Sequence, residues 1–101
     1  MSTGRLAREN GLVLTLVQAM LGAVSPNFRR VSLNAGGRRV RLRFVLERES
    51  PKDREEIEDI AFEFEALLGE PVDLEVEVIV DPGPLSGIPP AERLVYARRE
   101  T

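Results

Sequence analysis

The sequence predicts an α+β fold: a two-layer sandwich with helices on one face of a mostly antiparallel four-stranded sheet. Three observations carry that expectation. Segments with a two-residue apolar period and segments with a helical period both occur. They follow one another in the order α-β-β-α-β-β. Each strand segment has a single apolar face, so one helical layer is enough to bury it. At 101 residues the chain suits a single domain, residues 1–101, with a modest core.

The first element is a helix over residues 11–24, preceded by a flexible tail at 1–9. Asn10 can cap its start, and "SPN" at 25–27 stops it, because a residue before proline avoids the helical region. Apolar residues wrap most of its circumference, leaving only Thr15, Gln18 and Gly22 as a thin polar stripe. Such a helix is covered on more than one side. Its neighbours would be the sheet and a second helix, or a second subunit.

"NFRRVSLNAGGRRVRLRFVLE" reads as a β-hairpin. Val40, Leu42, Phe44 and Leu46 alternate with Arg39, Arg41, Arg43 and Val45, so one face is apolar and the other basic. Val31 and Leu33 supply the apolar face of the partner strand. "NAGG" at 34–37 is the turn signal.

A longer helix starts after Ser50, a suitable N-cap, with Pro51 in the first turn and Asp53 three residues past the cap. Ile57, Ile60, Ala61, Phe64, Leu67 and Leu68 recur at helical spacing and form the inward stripe. Gly69 and Pro71 close the helix. "VDLEVEVIVD" follows as a strand, with Val72, Leu74, Val76, Val78 and Val80 on one face. A Pro- and Gly-rich loop at 82–90 leads to a last strand at 92–99. The basic face of 39–43 matches the acidic face of 73–77, so those two strands are expected to be neighbours.

Charge is unevenly spread. The net value of −3 combines +7 over residues 1–48, −11 over 49–81 and +1 over 82–101. The chain has no His and no Cys. Disulfides, thiolate chemistry and imidazole-activated serines are therefore outside its reach. Carboxylates alone suit hard ions, but the spacing of a calcium loop is missing, and acids on a helix diverge from its axis. No phosphate-binding loop occurs. The expectation is a protein that is not an enzyme and has no cofactor and no metal. The longest apolar run is too short to span a bilayer, and the first ten residues lack the apolar run expected of a secretory signal.

The candidate site is the outward face of the second helix. At about 100° per residue, Glu55, Asp59 and Phe62 lie opposite the apolar stripe. Glu58 and Glu65 fall on one flank and Glu63 on the other. An aromatic ringed by charge has the form of an interface hot spot, and the acids would steer a basic partner. The other reading has the first helix or the Pro-rich loop folded over Phe62, leaving only a solvated acidic face. Two further alternatives compete with this site. The arginine-rich hairpin could bind nucleic acid, although no aromatic stands between its arginines for stacking. The apolar first helix could pair with a second copy as a homodimer.

"SPNFRRVSL", "LERESPKDREEIEDIAFEFEALL" and "ERLVYARRE" together resemble small bacterial immunity proteins of contact-dependent growth inhibition and related polymorphic toxin systems. The resemblance covers residues 12–99. It implies a cytoplasmic protein that binds one cognate toxin domain, often a nuclease, without catalysis or cofactor. It carries over no binding residues.

Overall fold

The computed structural model describes residues 2–100. Helix α1 is Ser2–Met20, strands β1 and β2 are Phe28–Gly36 and Arg39–Leu46, and helix α2 is Pro51–Leu68. Strands β3 and β4 are Asp73–Val80 and Arg93–Ala97. The sheet runs β3-β2-β1-β4. Both helices pack on the face formed by Phe28, Val31 and Leu33 of β1 and Val40, Leu42, Phe44 and Leu46 of β2. Phe28 and Phe44 meet edge to face, with ring centres 6.1 Å apart.

The sheet is mixed, which corrects the mostly antiparallel expectation. β1 pairs antiparallel with β2 and with β4, but β2 and β3 are parallel. The cause is α2. Its 18 residues rise about 27 Å, close to the length of an eight-residue strand. The chain is thus carried back to the end at which β2 began. The charge match across β2 and β3 is present in parallel register, with Arg39, Arg41 and Arg43 opposite Asp73, Glu75 and Glu77.

The first helix also differs from the expectation. It starts at Ser2, so residues 2–9 form helical turns instead of a tail, and Asn10 lies inside the helix and does not cap it. It ends at Met20, and Gly22 takes a positive φ of 78° in the turn that follows. In the hairpin, β1 continues through Asn34 to Gly36, so the tight turn is Gly37–Arg38, with Gly37 at φ 62°.

The connection from β3 to β4 must pass from one edge of the sheet to the other, which explains its length. It crosses the face away from the helices. Leu85, Ser86, Gly87, Ile88 and Pro89 there bound a cleft with Arg30, Ser32, Arg43, Val45 and Ile79 of the sheet. Val45 and Ile79 interrupt the charged alternation of their strands, and they sit side by side under this crossing. Glu92 anchors its far end. The Ser32 hydroxyl donates to Glu92 Oε1 at 2.7 Å, and Arg43 donates to Oε2. The Glu92 side chain is only 4% exposed. Arg29 anchors the near end by donating to the carbonyls of Asp81 and Gly83 at 2.5 and 2.7 Å.

Candidate partner-binding surface

α2 presents the candidate residues because both its ends are fixed. The Ser50 hydroxyl accepts from the Asp53 amide at 3.1 Å, and Gly69 closes the helix at φ 67°. Buried Asp53 also accepts from Asn27 Nδ2 at 2.9 Å, which ties the first turn to the start of β1. Ile57, Ile60 and Phe64 are buried against the sheet and α1. Ala61 and Leu68 are half-buried, while Leu67, expected inside, is exposed at the flank.

With that face turned inward, Glu55, Glu58, Asp59, Phe62, Glu63 and Glu65 are all exposed. Phe62 is 73% exposed, so neither α1 nor the Pro-rich loop covers it. Among the described residues, none of these five carboxylates lies within ion-pair distance of a basic side chain. The acids elsewhere are mostly engaged. Glu47, Glu49, Glu75, Glu77, Glu92 and Glu100 all pair with arginines. Among the described residues, these five α2 carboxylates thus face solvent without an internal ion pair.

The arginine hairpin is different. Arg41 meets Glu75 at 3.3 Å and Arg43 meets Glu77 at 2.9 Å. Arg29, half of the "FRR" run, is turned into the protein against Glu100. The basic face that the sequence displays is thus partly matched from within. Sequence reasoning did not find the Ser32–Glu92–Arg43 and Arg29–Glu100 contacts. Their members are 49 to 71 residues apart, and no local pattern announces such pairings.

Among the described residues, no group of three or more acids could hold a metal ion, and no helix is long and apolar enough to cross a membrane. The family model described as MafI2 immunity protein matches residues 9–100. The chain belongs to the MafI2 immunity protein family. That places it among bacterial immunity proteins of polymorphic toxin systems, whose task is to act against a toxin. The match spans every strand, all of α2 and most of α1. No curated protein matches the chain in sequence.

Proposed function

We propose that this immunity protein neutralises its toxin by direct binding through the outward face of α2. Phe62 inserts into the toxin surface, and Glu55, Glu58, Asp59 and Glu63 surround it, with Glu65 at the rim. The observation that carries this reading is the 73% exposure of Phe62 amid carboxylates that make no internal ion pair. Solvated carboxylates and one large apolar side chain complement a basic surface with an apolar recess.

A basic surface is what a nuclease offers to phosphate, so the toxin domain is a nuclease, delivered by a contact-dependent or related system and met in the cytoplasm. The protein acts by occupying that surface and performs no catalysis. The nucleic-acid alternative draws no comparable support, because Arg41 and Arg43 already have acidic partners.

The test begins with affinity capture of the tagged chain from its native cells after nuclease treatment, with the bound protein identified by mass. The expected partner is the C-terminal domain of a large secreted protein. Phe62→Ala, and Glu55→Lys combined with Asp59→Lys, should then each release that partner while the far-UV spectrum stays unchanged. Full retention in both variants would move the contact off α2.

A further inference from the structure

α1 carries a second apolar stripe that the core does not use. Its inward side is Leu12, Leu16, Ala19 and Met20, all buried. At about 100° per residue, Leu6, Leu14 and Val17, with Leu21 just past the helix end, fall together on another side. They are 54%, 68%, 41% and 74% exposed, respectively. Two contacts locate this stripe on the molecule. Asn10, in its middle, accepts from Arg93 of β4 at 2.8 Å, and neighbouring Glu9 accepts from the same guanidinium. Arg8, on the opposite flank, faces Glu70 beyond the end of α2. The stripe therefore borders β4 and not α2.

β4 is itself an edge. Among the described residues it pairs with β1 on one side only, so its outer amides and carbonyls have no sheet partner there. The open strand edge lies beside the exposed apolar stripe of the helix, because Arg93, opposite Leu33, faces α1 from β4.

We propose that this surface receives a second copy of the chain across a two-fold axis. A two-fold brings β4 antiparallel to its own copy, which joins two four-stranded sheets into one of eight and closes the two β4 edges. The same operation lays one α1 stripe against the other. The composition favours a copy over a different protein. Leu6, Leu14, Val17 and Leu21 are large, apolar and uncharged, as in homodimer cores, whereas transient interfaces carry more polar surface. The stripe offers roughly 400 Å² per copy, so about 800 Å² across the pair, and the paired β4 edges supply the rest of the ~1,000 Å² that a specific interface needs. The outward face of α2 stays free in this arrangement, so each copy can still engage a toxin domain.

The test is the mass of the full chain in solution, by sedimentation and light scattering over a wide concentration range. The expected value is twice the 11.3 kDa of the monomer. Leu14→Glu and Leu21→Glu change exposed positions. Each should give a folded monomer with toxin binding retained. A wild-type chain that stays monomeric at its highest concentration would overturn the proposal. So would a dimer that survives both substitutions, because the stripe would then not be its interface. If Leu14→Glu lost toxin binding without changing the mass, the stripe would belong to the toxin and the proposal would fall.

Discussion

At the scale of single residues, two side chains do opposite things with the same resource. Phe62 leaves a large apolar surface in water, and the proposed toxin contact gives that surface a use. Truncation of an aromatic hot spot costs about 2 kcal/mol or more, roughly 30-fold in Kd. Phe62→Ala should therefore weaken toxin binding by at least that factor in calorimetry or surface plasmon resonance, while the urea midpoint stays where it was. A lowered midpoint with unchanged affinity would make Phe62 a structural residue. Glu92 is the converse: a carboxylate withdrawn from water and held by Ser32 and Arg43. A buried acceptor that loses one donor is costly to leave unpaired. Ser32→Ala should lower stability by about 1–2 kcal/mol in urea unfolding. An unchanged midpoint would mean that water replaces the hydroxyl and that the crossing loop does not depend on it.

At the scale of elements, α2 is the most self-contained piece of the fold. Its cap, its stripe and its stop are all local. Gly69 sits at φ 67°, where an added Cβ meets no neighbouring atom, so the cost of a substitution there is backbone strain alone. Gly69→Ala should destabilise the protein by about 1 kcal/mol, seen as a lower thermal midpoint with unchanged secondary structure. A neutral result would show that the helix end relaxes. This locality is why α2 and its outward face were legible in the sequence: helical geometry alone divides Ile57, Ile60 and Phe64 from Glu55, Asp59 and Phe62. Whether Phe62 was covered was not legible, because that depends on where α1 and the loop after β3 travel. The β2–β3 neighbourhood was legible from charge, but its direction was not. Arg39, Arg41 and Arg43 match three evenly spaced acids equally well read forwards or backwards. The early start of α1 was hidden for another reason. Gly4, Asn10 and Gly11 are weak helical positions, and the good helix formers at 5–9 between them are too short a run to stand as a helix alone. Arg93 holds it in place through Glu9 and Asn10 from more than 80 residues away.

At the scale of the whole molecule, the arginines and the acids serve two separate ends. The basic N-terminal half and the short C-terminal segment are stitched together by arginine–carboxylate contacts, and the acids of α2 are left out of that stitching. The last residues show it best. Arg29 of β1 donates to both oxygens of Glu100, at 3.3 and 2.8 Å. Arg98 donates to Glu100 as well, and also to Glu47 and the carbonyl of Pro26. The hydrogen bond from Arg29, followed by that from Arg98, holds the Glu100 carboxyl down to about 2, against an ordinary value of 4.5. Arg98 likewise lowers Glu47. A carboxyl whose folded pKa is depressed binds protons more readily in the unfolded chain, so acid favours unfolding. The stabilisation is complete above the ordinary carboxylate range and is lost as pH falls from about 4.5 toward 2. Thermal midpoints measured between pH 7 and pH 2 should fall across that window. Glu100→Gln should lower the neutral midpoint and flatten the acid limb, leaving a smaller slope from Glu47 and from Glu49, which Arg54 also holds low. An acid limb of unchanged steepness in that variant would show that this clasp does not hold the segment after β4 to β1 in solution. The α2 carboxylates make no such contacts, so toxin affinity in Glu100→Gln should match wild type at neutral pH, and the stitching and the binding face would be separable in one experiment.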